Sequence, residues 1–391
     1  MHDAVVAAVH HAVVAGAVAA LVALAVVLFL LWRKRRVAAA TAGADAGAVP
    51  GAAAAKAAPL PVIPLADVER ATDGFHRSRV IGQGRHFAVY AAAPGIAAKR
   101  MHPHLVLGDP GGRRFPAAVR ALAAVPPHPN LAALVGLSEG PGERVLLVER
   151  APAGSVGLDR LLAGDDDERF PPPSWHQRAA VAAGAARGLA HLHAHGVAHG
   201  RVRPCNLLVV GAAAAAARRR RRQHSGVRVT DYGLAGFLDG EDARAESDVY
   251  MFGAVLLELL TGRRWDGGRL AEWALPQIRA GAAAGPCALG EVLDVARAGA
   301  PRDKAEARLL ARAARVALAC VGNDGRIRPG MAEVSAILSD VEAAYRRRDG
   351  EPEGADEYGD GEDDDDGRLS GCLLGPSRSA HKADMLIRLP A

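Results

Sequence analysis

The turn Gly82-Gln83-Gly84, the pair Val89-Tyr90 that follows it, and Lys99 further along are residues of the kinds that hold phosphate. Two glycines let backbone N–H groups come close to an anion, and an ammonium neutralises it. A lone GxG turn is a weak signal. What makes this one informative is the order of what comes after it: His199-Gly200-Arg201, then Asn206, then Asp231-Tyr232-Gly233, then Ser247-Asp248-Val249-Tyr250-Met251-Phe252-Gly253. Cys205, Cys287, Cys320 and Cys372 lie far apart with no CxxC and no Cys/His ligand spacing, so neither a disulfide framework nor a structural zinc site is expected.

The elements that must carry these residues change in character along the chain. Val80-Ile81-Gly82, Ala88-Val89-Tyr90 and Val145 to Glu149 are short, strand-like and punctuated by glycine, whereas Ala179 to His193, Tyr250 to Leu260 and Ala305 to Val321 repeat apolar residues at helical spacing. A small β-rich lobe followed by a larger helical lobe is expected, an α+β fold. With the motifs in this order the chain resembles the eukaryotic protein kinases, and among them the plant receptor-like serine/threonine kinases. The likeness starts at Leu65-Ala66-Asp67-Val68-Glu69-Arg70-Ala71-Thr72-Asp73-Gly74-Phe75. It continues through His128-Pro129-Asn130-Leu131, Gly154-Ser155 and Leu192-His193, and ends near Arg328-Pro329-Gly330-Met331.

The resemblance implies a two-lobed kinase fold over residues 65–348, with the lobes meeting near residue 150. It implies ATP and Mg2+ as ligands. Lys99, in Ile96-Ala97-Ala98-Lys99, matches the lysine that holds the α- and β-phosphates, while Asn206 and Asp231 match the two magnesium ligands. Gly82, Gly84 and Val89 would line the nucleotide, and Val148 falls at the gatekeeper position of the hinge. His199, Asp248 and Arg328 match positions that hold the architecture.

The departures from the family pattern matter more. Where the family's His-Arg-Asp places the aspartate that takes the substrate hydroxyl proton, this chain has Arg201, and Gly200 replaces the arginine. A guanidinium cannot serve as a base, and general-base assistance is typically worth about 10²- to 10⁴-fold. Arg203 replaces a lysine two residues on. In the small lobe Phe115-Pro116-Ala117-Ala118-Val119 puts Ala118 where a glutamate should pair with Lys99. Glu139 or Glu143 could replace it only if the helix were rearranged. Phe87 stands at the third glycine of the phosphate loop. Asp231 and Asp248 are 17 positions apart, about half the family's usual length, and Leu234 to Glu246 contains no Ser, Thr, Tyr or Ala-Pro-Glu. Arg328 therefore lacks its usual glutamate, for which Glu246 is the nearest substitute.

The remaining segments place this region in a larger plan. The chain has 391 residues, 50% apolar but 4% aromatic, 23% charged and a net charge of +5, which excludes a wholly disordered chain, a collagen and a multi-span membrane protein. Residues 12–32 run without a charge from Ala12 to Trp32, about 31 Å as a helix and one bilayer core in length. Arg33-Lys34-Arg35-Arg36 follows, orienting that flank to the cytoplasm and leaving residues 1–11 outside. Residues 33–64 read as a basic, Ala- and Pro-rich juxtamembrane linker, residues 211–226 as a low-complexity insert, and residues 349–391 as an acidic disordered tail.

One transmembrane helix preceding a cytoplasmic kinase-like domain at the plasma membrane is thus the expected organisation. The expected work is that of a pseudokinase, a signalling scaffold or regulator whose partners are other membrane-associated kinases or signalling proteins. The alternative is an active serine/threonine kinase with another base, and a third reading is a nucleotide sensor. Arg218 to Arg222 could meet anionic lipid. Nucleic acid is not expected, because no aromatic residues interleave those arginines.

Overall fold

The computed structural model describes residues 60–108, 114–163, 171–210, 226–238, 243–284, 289–322 and 325–350. The apolar run 12–32, residues 211–225 of the expected insert and residues 351–391 of the expected tail lie outside the described residues. Among the described residues no helix is long and apolar enough to cross a membrane.

The first half is a five-stranded antiparallel sheet built from β1 (Val80–Gln83), β2 (Phe87–Ala93), β3 (Ile96–Met101), β4 (Leu134–Gly140) and β5 (Glu143–Glu149), in the order β1-β2-β3-β5-β4. Alternation along each strand sorts its side chains to two faces. Ile96 and Ala98 of β3, with Val145 and Leu147 of β5, pack under helix α1 (Leu65–Ala71) through Val68 and Ala71. Met101 and Leu146 point to the other face. There they meet Phe115, Val119 and Leu122 of α3 (Arg114–Ala123), beyond the short α2 (Pro103–Leu107). Lys99, between Ala97 and Met101, shares the α3 side and pairs in register with Val89 and Leu146.

The boundary expected at residue 65 needs correction. Val62 bridges in parallel to Leu137, the Ile63 N–H donates to the Leu137 carbonyl at 2.8 Å, and Ile63 is 2% exposed. Pro61 to Ile63 thus extends the sheet beyond β4. Two prolines around one Val-Ile pair look like linker, because an edge segment of three residues carries no alternation to read.

The second half is helical, with a small sheet at its upper edge. β6 (Val156–Gly157), α4 (Leu158–Ala163) and α5 (Trp175–Ala194) are followed by β7 (Leu207–Val209) and β8 (Val227–Val229), and the sheet runs β6-β7-β8. Then come α6 (Ala235–Leu238), α7 (Ala245–Thr261), α8 (Arg269–Ala284), α9 (Val295–Ala298), α10 (Lys304–Val321) and α11 (Met331–Arg348). Helix α5 starts at a capping box. Ser174 Oγ accepts from the Gln177 N–H, and Gln177 Oε1 accepts from the Ser174 N–H. Scarce aromatics are offset by close approach: a Cβ at Gly188 would sit 3.0 Å from Val229 Cγ2 and from the Asn130 carbonyl, so α5 lies directly against β8. Beneath it Arg178, 3% exposed, donates to the Pro173 and Leu259 carbonyls and to Asp294 Oδ2 at 2.6 Å.

Candidate nucleotide cleft

Between the two halves lies a cavity of about 620 Å³, lined by the β1–β2 turn, β3, the segment after β5, and the loops around Arg201 and Asp231. Its size is that of a small-molecule site. Gly82, Gly84, Val89, Lys99, Val148, Arg201, Asn206 and Asp231 all border it, so strands and loops far apart in sequence bring these positions together. His199, Asp248 and Arg328 are not among its lining residues.

Lys99 is 7% exposed and has two partners, Thr230 Oγ1 at 3.0 Å and the Asp231 carboxylate. No carboxylate on α3 draws it elsewhere, since Ala118 offers none. Glu143 does not serve, because it takes Arg100 with both oxygens on the opposite face of β3. Burial by itself would raise the Asp231 carboxyl. The adjacent Lys99 ammonium, with His199 and Arg201 nearby, outweighs it and holds the carboxyl below its ordinary range. Asp231 also adopts a left-handed backbone, φ 61°, a conformation that aspartate tolerates better than most residues.

Arg201, at the position where the family resemblance expects a base, reaches across the cleft. Its two terminal nitrogens lie 2.8 and 2.9 Å from the two ring nitrogens of His86, a residue of the β1–β2 turn. A neutral imidazole has one acceptor nitrogen, so one of these contacts is a hydrogen bond and the other a close approach. The turn over the phosphate position is thereby held down onto the loop beneath it.

Gly200 explains how the short segment after Asp231 closes over that loop. Its φ is 76°, and a Cβ there would stand 2.5 Å from Ala235 Cβ and 2.9 Å from Ala243 Cβ. Helix α6 then meets α3, with the Phe115 and Phe237 rings 5.9 Å apart. The loop itself hangs on Asp248, which accepts from the His199 N–H at 2.6 Å and the Gly200 N–H at 2.8 Å and contacts His193 Nε2 at 2.9 Å. The His199 ring is fully buried, and burial pushes it toward the neutral form. Its Nδ1 accepts from the Arg201 N–H.

Arg328 donates to the backbone carbonyl of Glu246 at 3.1 Å and lies over the Tyr250 ring. The substitute acceptor is therefore the main chain of Glu246. Among the residues of the cleft that escaped the sequence reading are His86 and Thr230. A polar side chain inside the glycine turn and a hydroxyl beside Asp231 were the available signals.

A nucleotide fits the cavity, whose lining includes the apolar Val89, Ala97, Val148 and Leu208 and the cationic Lys99 and Arg201. Magnesium fits poorly. Asp231 is committed to Lys99, and Asn206 spends its amide nitrogen on the Arg201 carbonyl at 2.8 Å. The Asn206 amide oxygen and the second oxygen of Asp231, set beside the Lys99 and Arg201 cations, are a sparse donor set for a hard dication.

Comparison with known proteins agrees with the architecture. The chain is 33% identical over 340 residues to the salt tolerance receptor-like cytoplasmic kinase 1 of rice, a match covering 79% of this chain and 88% of that protein. The chain belongs to the receptor-like protein kinase family of plants. The leucine-rich repeat receptor protein kinase EMS1 of Arabidopsis thaliana is 32% identical over 310 residues, 72% of this chain. The receptor-like cytoplasmic kinase 176 of rice is 30% identical over 311 residues. This receptor-like kinase chain spans only 24% of the length of EMS1 and 21% of the rice leucine-rich repeat receptor MSL1. No family model matches the chain.

Proposed function

We propose that this receptor-like kinase has lost phosphotransfer and acts as a membrane-anchored scaffold or regulator in signalling. The observation that carries the proposal is Arg201, a guanidinium at the position of the base, laid against His86 where a substrate hydroxyl would have to approach. Ala118 and the short segment folded onto Gly200 support it. They remove the partner that would hold Lys99 to phosphate and the platform on which a peptide would lie.

The anchor is the uncharged run from Ala12 to Trp32 with its basic flank, which sets the kinase-like domain on the cytoplasmic face of the plasma membrane. Its partners are other membrane-associated kinases or signalling proteins, with Arg218 to Arg222 adding contact to anionic lipid at about 1 kcal/mol per basic residue. The cleft retains a nucleotide-sized cavity, so ATP remains a ligand of this reading and a switch for partner binding.

The test is transfer of radiolabelled phosphate from ATP by the full chain, with Mg2+ or Mn2+ and a generic acceptor protein, beside Lys99→Met. No label above the Lys99→Met background is expected. Label that depends on Lys99 would establish the alternative, an active serine/threonine kinase with another base.

A further inference from the structure

In a working kinase the charge of the nucleotide phosphates is met largely by metal ions. The cleft of this chain meets it differently. Five cationic side chains border the cavity (Arg85, Lys99, Arg150, Arg201 and Arg203) against two carboxylates, Glu149 and Asp231. Of the two carboxylates, Asp231 is taken by Lys99, and Glu149 faces Arg228 at 4.0 Å. Arg150 and Glu149 belong to the hinge segment after Val148; at the glycine turn and the loops below it Arg85, Lys99, Arg201 and Arg203 stand against Asp231 among the described lining residues, an excess of positive charge that a dication would enter against.

Arg201 is the side chain placed to use that excess. It reaches the imidazole of His86 in the glycine turn, and that imidazole is a weaker acceptor for a guanidinium than a phosphate oxygen. A planar guanidinium presents paired donors that match two phosphate oxygens, and it keeps its charge at any physiological pH. We propose that the cleft binds a nucleoside triphosphate without a divalent cation, with Arg201 leaving His86 to take the terminal phosphates and thereby releasing the β1–β2 turn from the loop beneath it. The inference rests on the reading of this cleft as a nucleotide site that does not transfer phosphate, and it adds what meets the phosphate charge and what moves when the ligand arrives.

The experiment is calorimetric titration of the full chain, in detergent micelles, with ATP in EDTA and with ATP in Mg2+, repeated for Arg201→Ala, Arg201→Lys and His86→Ala, and with adenosine as a second probe. ATP should bind in EDTA with a dissociation constant within about threefold of that in Mg2+. Arg201→Ala should weaken ATP about tenfold or more, the scale of one charge-assisted hydrogen bond, and Arg201→Lys should restore part of it. Adenosine should bind wild type and Arg201→Ala alike, which also shows that the variant is folded. His86→Ala should tighten ATP severalfold by removing an acceptor that competes with phosphate for Arg201.

Binding of ATP that disappears in EDTA overturns the proposal, as does an unchanged affinity in Arg201→Ala or an absence of binding in both conditions. Phosphotransfer assayed on the same samples separates the two readings. Label in Mg2+ would sink the loss of catalysis, while binding in EDTA would still stand or fall on its own.

Discussion

At the residue scale the chemistry turns on substitutions that exchange one charge or one hydrogen for something larger. Gly200 is the clearest, since a left-handed backbone and two alanine methyl groups leave no room for a side chain. Gly200→Ala should cost about 1–3 kcal/mol in denaturant unfolding, from backbone strain and overpacking together. A second residue gives a pH signature. Burial pushes the Glu258 carboxyl up to about 7 from its ordinary 4.5, against an opposing hydrogen bond from the Trp265 backbone and the nearby Arg264. The folded chain then holds this proton more tightly than the unfolded chain. The stability it contributes is complete below about pH 4.5 and is lost as pH rises through about 7. Unfolding midpoints at pH 5.5 and pH 8 should differ less in Glu258→Gln than in wild type, and the variant should be the more stable at pH 8, by about 1–3 kcal/mol.

At the scale of elements, two joints position the cleft. Arg178 ties the start of α5 to the end of α7 and to Asp294 before α9, all in the interior. Arg178→Met leaves Asp294 charged and unpaired, and the loss should be about 3–5 kcal/mol; adding Asp294→Asn should recover part of it in a double-mutant cycle. The other joint is α3 against α6. Phe115 is fully buried between the sheet and Phe237. Phe115→Ala should destabilise by about 3–5 kcal/mol in thermal or denaturant unfolding. It should also raise hydrogen exchange at Ala235 to Leu238, which an α3 that packed only on the sheet would not do.

Much of this layer was legible beforehand. Val145 to Glu149 reads as a strand because it is a short apolar run with glycine before it, and the structure then sorts Val145 and Leu147 to one face and Leu146 to the other. Helix α5 was read from the apolar residues at helical spacing through Ala179 to His193, and its capping box at Ser174 and Gln177 was seen only in the structure. Pro61 to Ile63 was not legible, because three residues at a sheet edge have no period, and neither was α6, four residues set by what they touch.

At the scale of the whole molecule, the proposed membrane anchor can be tested apart from the cleft. Full-length chain should sediment with membranes and resist alkaline extraction, and a truncation beginning at Ala57 should move to the soluble fraction. A full-length chain that extracts freely would remove the membrane from the proposal.

The sequence by itself determined the order of motifs, and with it the kinase family and the identities of Lys99, Asn206, Asp231 and Arg201. These are statements about which residue stands where, and a chain carries them without folding. It also determined that Arg201 is no base, since that follows from the guanidinium alone. Only the tertiary structure decided what those residues do to one another: that Lys99, lacking a glutamate at Ala118, turns to Asp231, that Arg201 closes on His86 from 115 positions away, and that Gly200 admits Ala235 and Ala243. Such pairings depend on the distance between atoms that loops and sheets bring together, and electrostatic and packing energies fall off over a few ångströms. Spacing along the chain does not encode them.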